Sequence, residues 1–154
     1  MKRLLTIVLT LAVLVPFVGC AQKVPADIAQ IFPGAKKVTV AKGWTEVYGK
    51  RNALLGYVAY SKPASNGIRG YAGETPLMVT FDAQKRITSV KLLQNSETPG
   101  YLNHVVASGF LDRWNGLTIG EAKKKEVDAV AGATYTSEGV KKSLKACLGQ
   151  IGAK

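Results

Sequence analysis

The residues best suited to chemistry lie between Asp128 and Ser137, near the end of the chain. Three small residues, Ala131-Gly132-Ala133, lead to the hydroxyl of Thr134, and the hydroxyl residues Thr136 and Ser137 follow within three positions. A glycine with small neighbours lets a bulky ligand come close to the backbone. This stretch is therefore a candidate ligand site built around a hydroxyl group.

A helix must position this hydroxyl. Apolar residues at helical spacing predict a helix from Glu138 to about Ile151. Its apolar face is predicted to consist of Val140, Leu144, Cys147, Leu148 and Ile151. Thr136 or Ser137 is the predicted N-cap, because its side-chain oxygen can accept a hydrogen bond from a free amide of the first turn.

Thr134 would then lie just before a helix N-terminus. Free N–H groups and the helix dipole favour an anion such as a phosphate at this position. A small-residue turn that simply begins a helix has the same pattern, so spacing alone leaves a structural and a ligand-binding interpretation open.

The stretch from Asp128 to Thr136 (DAVAGATYT) resembles the flavinylation motif of the FMN-binding domain family. That family includes the C subunit of the sodium-pumping NADH:quinone reductase and the G subunit of the Rnf electron-transport complex. Its threonine after Gly-Ala carries FMN through a phosphoester bond made by a flavin transferase. The resemblance implies covalent FMN on Thr134. It further implies cofactor-binding residues around that hydroxyl: Asp128 as the motif's acid, Gly132, Ala133 and Thr136.

The motif departs from the family at one position. Ala131 stands where serine is commoner, which removes one possible hydrogen bond. The acceptor hydroxyl of Thr134 and the Gly-Ala before it are intact, so modification is still expected.

A second segment, Ser96-Glu97-Thr98-Pro99-Gly100, predicts a turn because proline and glycine are adjacent. It also resembles the family signature Glu-Thr-Pro-Gly-Leu-Gly, whose backbone and threonine approach the isoalloxazine ring. The resemblance implies cofactor contacts from four residues: Glu97, Thr98, Gly100 and Tyr101. This chain has Tyr101 and Leu102 where the family has Leu-Gly. The loss of the glycine restricts the backbone, whereas Tyr101 can stack on a flavin ring. Upstream, Gly70-Tyr-Ala-Gly73 is similar to a Gly-Tyr-x-Gly segment of the same family.

The first 19 residues predict an export signal. Lys2-Arg3 forms its positive start, and the apolar stretch 4–18 is shorter than the roughly 20 residues that a membrane-spanning helix needs. Phe17-Val-Gly-Cys20 resembles a bacterial lipobox, although Phe17 stands where leucine is usual. We therefore expect cleavage before Cys20, lipidation of Cys20, and an anchored lipoprotein that faces the periplasm or the cell exterior. An uncleaved signal anchor is the alternative.

Composition narrows the classes of partner. The chain has 154 residues, of which 47% are hydrophobic, enough for one folded domain with a core. Its formal net charge of +11 suits nucleic acid, an anionic membrane surface or an acidic partner. The basic residues are scattered or stand beside acidic residues, so nucleic acid is not the expected partner. The mixed run 121–126 predicts a charged helix or loop face exposed to solvent. The export signal argues further against nucleic acid.

The remaining reactive side chains favour structural roles. Cys147 is predicted to be an unpaired buried hydrophobe, and the single histidine, His104, to be exposed or structural. The sequence contains no Cys/His cluster with the spacing of a metal site.

Periodicity predicts an α+β fold, a single domain whose sheet is largely antiparallel. The predicted elements before the last helix are a short helix 26–32, strands 37–40, 45–48 and 53–60, a hairpin of 76–81 and 86–93, and a helix 102–114. Leu77, Val79 and Phe81 are expected to share one face of the first hairpin strand; Thr88, Val90 and Leu92 are expected to share one face of the second. The helix stripe is expected to contain Leu102, Val105, Val106 and Phe110.

We divide the chain into a signal peptide (1–19), an N-terminal segment (20–50) and an FMN-binding domain (51–152). The resulting hypothesis is an extracytoplasmic electron carrier with covalent FMN on Thr134, in which the cofactor performs the redox chemistry and the protein binds and orients it. Lys141 or Lys142 is a candidate to neutralise the phosphate. The expected partners are a flavin transferase for maturation, redox partner proteins or a membrane redox complex, and the membrane through a lipid anchor.

Three alternatives stay open. In the first, the protein is a separate flavin-bearing subunit of a reductase, since the chain is too short to contain a reductase domain itself. Alternatively, it is an accessory subunit of an ion-pumping redox complex; such family members have a true transmembrane anchor, so the fate of residues 1–19 discriminates. Finally, it is an interaction lipoprotein on the same fold without flavin, which an unmodified Thr134 would favour.

Overall fold

A computed structural model describes residues 22–151 of the chain. The predicted signal peptide and Cys20 lie outside the described residues. One five-stranded antiparallel sheet has the strand order β1-β2-β3-β4-β5. The strands are β1 (Lys37–Ala41), β2 (Trp44–Tyr48), β3 (Leu54–Tyr60), β4 (Leu77–Asp82) and β5 (Ile87–Leu92). Every strand pairs with its neighbour in sequence, and the predicted α+β fold with an antiparallel sheet is confirmed. The boundary that we drew at residue 50 falls between β2 and β3, which pair with each other.

Residues 22–151 contain four α-helices: α1 (Ala26–Ile31), α2 (Pro99–Ala107), α3 (Ile119–Lys124) and α4 (Thr134–Gln150). Short 3-10 segments occur at Lys50–Asn52 and Phe110–Trp114. No helix in this part of the chain combines the length and the apolar character that crossing a bilayer requires.

The sheet separates two apolar layers. Alternate residues of β4 point to opposite faces: Leu77, Val79 and Phe81 enter the main core with α2, α3 and α4, whereas Met78 enters a smaller core with Ile28 of α1. The predicted apolar face of α4 is buried in the main core and is therefore confirmed.

Cys147 lies in that buried face of α4. It is unpaired, and burial raises the pKa of its thiol to about 12. A thiol with such a pKa stays protonated and behaves as a small hydrophobe, as we predicted.

The prediction that Thr88 shares a face with Val90 is wrong. In the β4–β5 ladder Thr80 pairs with Ser89. The next pair joins Phe81 to Ile87, so Thr88 is an extra residue in β5. The Thr88 hydroxyl lies 2.8 Å from that of Thr80, on the face opposite to the core that Ile87 and Val90 enter. This β-bulge shifts the alternation by one residue.

The predicted helix 102–114 begins earlier and is interrupted. Pro99 opens α2, since its fixed φ suits the first helical position. Gly109 adopts a left-handed φ of 65° and separates α2 from the 3-10 segment that follows. Val105 is buried but Val106 is 55% exposed, so the prediction that Val106 belongs to the buried stripe is wrong.

The sequence interpretation missed α3. Thr118 and Glu121 form a capping box, in which the Thr118 hydroxyl accepts from the Glu121 amide (3.3 Å) and the Glu121 carboxylate accepts from the Thr118 amide (2.8 Å). The pattern Thr-x-x-Glu is a known signal for a helix start and was available in the sequence.

Candidate functional site

Thr134 is the first residue of α4, and its side chain is exposed. Ala133 is the N-cap, and no side chain caps the helix. The predictions that the helix begins at Glu138 and that Thr136 or Ser137 is its N-cap are therefore wrong. Both hydroxyls lie buried inside the first turn, where tertiary hydrogen bonds engage them.

Ser137 holds the loop that leads to Thr134. Its hydroxyl accepts from the Val130 amide at 3.0 Å and donates to the Ala133 carbonyl at 3.0 Å. Within this loop Gly132 has a φ of 77°, a left-handed conformation that glycine adopts without steric cost. The small residues of the motif thus form a tight turn that presents the Thr134 hydroxyl.

The first turn of α4 is electrostatically suited to an anion. It contains no acidic residue and, within the part of the chain that the structure describes, no side chain accepts hydrogen bonds from its free amides as a cap. Such amides and the helix dipole favour a negative group beside Thr134.

The Thr134 hydroxyl borders a cleft of about 260 Å³. We call it the tyrosine cleft; its wall consists of Tyr71, Tyr101, Gly132, Ala133, Thr134, Tyr135 and Thr136. This wall contains no aspartate, glutamate, lysine, arginine or histidine. An uncharged aromatic cleft beside an uncapped helix N-terminus fits the two halves of FMN, a planar ring system and a phosphate.

Three tyrosines give the cleft its aromatic character. The ring centroid of Tyr71 lies 4.9 Å from that of Tyr101 and 6.4 Å from that of Tyr135. Tyr71 is 61% exposed and Tyr135 is 70% exposed. Large exposed aromatic surface is unusual away from binding sites. Of these three tyrosines, sequence reasoning proposed only Tyr101 for ring contact, because nothing in the spacing of residues 71 and 135 shows that they meet.

Glu97 lies behind this cleft and is only 5% exposed. One carboxylate oxygen accepts from the Tyr71 amide (2.9 Å) and from the Thr136 hydroxyl (2.8 Å). The other accepts from the amides of Ala72 (3.0 Å) and Gly73 (2.7 Å). Burial by itself raises the pKa of this carboxyl, but the hydrogen bonds lower it by more, so the pKa of Glu97 lies below its ordinary value.

Glycines allow the loop 70–73 to lie directly on its neighbours. A Cβ at Gly73 would stand 2.6 Å from the Ser96 carbonyl carbon, and one at Gly139 would stand 2.8 Å from the Arg69 oxygen and from the Gly70 nitrogen. The loop is therefore packed at backbone distance against both the Glu97 segment and α4.

The tyrosine cleft collects part of the predicted site. Gly132, Ala133, Thr134, Thr136 and Tyr101 line it. Asp128 and Gly100 are exposed and Thr98 is half-buried, and these three are not part of its wall. Thr98 is the N-cap of α2, and its carbonyl accepts from the Tyr101 amide at 3.1 Å.

The other predicted polar residues have the following surroundings. His104 is exposed, as we predicted, and a Cβ at Gly132 would stand 3.3 Å from its ring. The Lys141 ammonium pairs with the Glu138 carboxylate at 2.7 Å, while Lys142 is exposed. Within residues 22–151 no three potential metal-ligating side chains come together.

Residues 70–149 match the family model of the FMN-binding domain. The chain belongs to this family. The matched residues include the whole tyrosine cleft and Glu97. The resemblance inferred from the motifs is confirmed, and FMN is the cofactor of this family's domain.

Two curated relatives are G subunits of ferredoxin:NAD(+) oxidoreductase complexes. The relative from the Na(+)-translocating complex of Acetobacterium woodii is 36% identical over 91 residues, which cover 58% of this chain and 40% of that protein. The relative from the proton-translocating complex of Clostridium ljungdahlii is 28% identical over 122 residues, which cover 75% of this chain and 63% of that protein. The chain thus spans less than two thirds of the length of each. The crystal structure of NqrC from Shewanella oneidensis superposes with a TM-score of 0.49 at 21% identity, over 87% of this chain and 70% of that one.

Proposed function

We propose that the protein is an extracytoplasmic electron carrier that holds FMN covalently, through a phosphoester on Thr134. The observation that carries this proposal is the exposed Thr134 hydroxyl at an uncapped helix N-terminus, on the edge of an uncharged tyrosine-lined cleft. The similarity to G subunits of ferredoxin:NAD(+) oxidoreductase complexes supports a role in electron transport.

The helix N-terminus is the part of the site that would hold the phosphate. A phosphodiester keeps one negative charge, and such a charge at a helix N-terminus gains about 0.3–1 kcal/mol at an exposed position. The first turn of α4 contains no carboxylate that would repel this charge. The covalent bond adds retention, because an intramolecular cofactor does not depend on the concentration of free FMN outside the cytoplasm.

Attachment forms a bond between Thr134 Oγ1 and the phosphorus atom of FMN. Direct condensation would release water and is unfavourable in aqueous solution, so the donor is an activated FMN joined to a leaving group by a phosphoanhydride bond. That P–O bond breaks, the leaving group departs with its electron pair, and the hydroxyl proton passes to a base. The wall of the tyrosine cleft contains no carboxylate or imidazole to take this proton. A flavin transferase is therefore the expected source of the base.

The three tyrosines are the residues that would hold the isoalloxazine ring. Their rings and the absence of charge in the cleft wall suit a flat, largely apolar ring system. When bound, FMN supplies one- or two-electron transfer, which joins two-electron donors to one-electron acceptors. The exposure of Tyr71 and Tyr135 leaves this side of the site open to a redox partner.

The decisive experiment is co-expression of the full chain with a flavin transferase, followed by in-gel flavin fluorescence after denaturing electrophoresis and by intact-mass analysis. The wild type and Thr134→Ser are expected to fluoresce, because both keep a hydroxyl, and Thr134→Val is expected to be dark. If wild type and Thr134→Val are both dark although folded, the carrier proposal fails in favour of an interaction lipoprotein. If both fluoresce, the flavin is attached at another residue.

The proposal also includes export and a lipid anchor on Cys20. Labelled fatty acid is expected to enter the wild type but not Cys20→Ala, which would also leave the membrane fraction. A second candidate is a subunit of a membrane redox complex, which the similarity to the two G subunits favours. Retention of residues 1–19 in the mature protein, with no fatty acid on Cys20, would support that candidate over the lipoprotein.

A further inference from the structure

Three segments that lie far apart in the sequence meet at one carboxylate. The amides of Tyr71, Ala72 and Gly73 and the hydroxyl of Thr136 all donate to Glu97. Three successive amides that converge on one anion form a nest, a backbone arrangement that binds negative groups. Here the protein fills the nest with its own side chain.

We propose that Glu97 is the positioning residue of the tyrosine cleft. Its carboxylate fixes the loop 70–73 against the first turn of α4, so that Tyr71 stands beside Thr134 before FMN is attached. The part of this inference that concerns flavin rests on the proposed function, whereas the part that concerns the loop does not.

Glu97 acts through other residues and not on the cofactor. Its side chain is 5% exposed, it does not line the cleft, and each of its oxygens already accepts two hydrogen bonds. A carboxylate offers about four lone-pair sites. All are taken, so none is left for a ligand.

Two further hydrogen bonds hold the loop of Tyr71, from the Gly70 amide to the Gly73 carbonyl (2.8 Å) and from the Arg69 guanidinium to the Ala72 carbonyl (2.7 Å). Both lie within residues 69–73, whereas the bonds to Glu97 join this segment to Thr136 of α4. The Tyr71 ring is mostly exposed and contacts the rings of Tyr101 and Tyr135 at its edge of the cleft. Its amide, in contrast, is held by Glu97 at 2.9 Å. The loop can follow Glu97 closely because Gly73 and Gly139 leave no Cβ between it and its neighbours.

The donors of the nest require a hydrogen-bond acceptor at both terminal atoms of the residue 97 side chain. Four donors face Glu97, and a glutamine would turn one N–H₂ group toward donors. Glu97→Gln has nearly the same shape as the wild type but leaves donors without an acceptor. We therefore expect this variant to release the loop from α4 while the rest of the fold stays intact.

The test uses the full chain and purified flavin transferase, with three variants. Glu97→Gln removes the acceptor. Thr136→Val removes one donor and serves where Glu97→Gln fails to fold. Glu121→Gln is the matched control, since Glu121 also accepts backbone and side-chain hydrogen bonds but caps α3, away from the cleft. Four quantities are measured: melting temperature, hydrogen exchange of residues 70–73 without flavin, initial flavinylation rate at saturating flavin donor, and fluorescence lifetime of the attached flavin.

In Glu97→Gln the amides of 71–73 are expected to exchange about tenfold or more faster, because they lose their acceptor. The flavinylation rate is expected to fall about tenfold or more, since the hydroxyl and the cleft are no longer aligned. The flavin lifetime is expected to lengthen as Tyr71 moves away from the ring. Thr136→Val is expected to change these quantities in the same direction, and Glu121→Gln to lower only the melting temperature.

The inference is overturned if Glu97→Gln is flavinylated at the wild-type rate. It is also overturned if the control Glu121→Gln slows flavinylation by the same factor as Glu97→Gln, because the slowing would then be a general effect of lost stability. If the wild type itself takes no flavin, the proposed function fails, but hydrogen exchange without flavin still decides whether Glu97 holds the loop. Unchanged exchange of residues 71–73 in both Glu97→Gln and Thr136→Val would reject that role.

Discussion

The hydroxyl of Thr136 donates a 2.8 Å hydrogen bond to the carboxylate of Glu97, which precedes it by 39 positions. Both residues are buried. Thr136 lies in the first turn of the helix that carries Thr134, and Glu97 stands just before α2. This single contact therefore joins the proposed attachment helix to the segment whose Tyr101 lines the cleft.

We expect Thr136→Val to lower the free energy of unfolding by about 1–3 kcal/mol, because it leaves one buried lone pair of Glu97 without a donor. Thr136→Ser keeps the hydroxyl and serves as the control, with a smaller loss. Urea denaturation of the flavin-free protein measures both values. A loss in Thr136→Ser with none in Thr136→Val would mean that the methyl group, and not the hydrogen bond, matters at this position.

Two glycines of α4 are expected to respond to alanine with opposite signs. A Cβ at Gly139 would stand 2.8 Å from backbone atoms of Arg69 and Gly70, so Gly139→Ala should destabilise the fold by about 1–3 kcal/mol through overpacking. A Cβ at Gly149 meets nothing within 4 Å, so Gly149→Ala should stabilise it by about 0.5–1 kcal/mol through helix propensity. Urea denaturation measures the unfolding free energy of both variants. If Gly139→Ala is as stable as the wild type, the loop 70–73 can move away from α4.

Acid is expected to remove the contribution of Glu97 to stability. Burial raises the pKa of Glu97, but its hydrogen bonds lower it more, so the folded-state pKa lies below the value of about 4.3 in the unfolded chain. The stabilisation is therefore complete above the unfolded-state pKa and is lost as the pH falls through the folded-state pKa.

The measurement is the difference in unfolding free energy between the wild type and Glu97→Gln as a function of pH. We expect a constant difference above about pH 5 and a steady decrease below it. The pKa values of three other carboxyls, Glu74, Glu121 and Glu126, are also lowered by their partners. The wild type and the variant both contain these three, so their contributions cancel in the difference and the contribution of Glu97 remains. A difference that grows toward acid pH would contradict the direction of the shift.

The tyrosines of the cleft are expected to quench the fluorescence of the attached flavin, because a phenol in contact with an excited flavin donates an electron to it. Tyr71→Leu and Tyr135→Leu should lengthen the flavin fluorescence lifetime of the folded protein. Tyr48→Phe is the control, since Tyr48 lies in β2 and not in the cleft wall. Identical lifetimes in all four proteins would mean that the ring does not rest on these side chains.

Local patterns predicted most of the regular elements. Alternating apolar residues located β4, and the helical stripe of α4 was buried where expected. The errors arose where a local rule met a tertiary constraint. Thr136 has the chemistry of an N-cap, yet its hydroxyl bonds to Glu97, and the helix begins two residues earlier. Thr88 fits an alternating strand, but a bulge moves it to the other face.

The sequence by itself determined the antiparallel α+β fold, the family and the hydroxyl proposed for attachment, because these depend on periodicity and on short contiguous motifs. Only the tertiary structure decided that Tyr71, Tyr101 and Tyr135 share one cleft and that Glu97 accepts from the amides of the loop 70–73 and from Thr136. The reason is physical. A motif encodes which groups can donate or accept, but the partner of a buried carboxylate is chosen by the packing of segments that are dozens of residues apart.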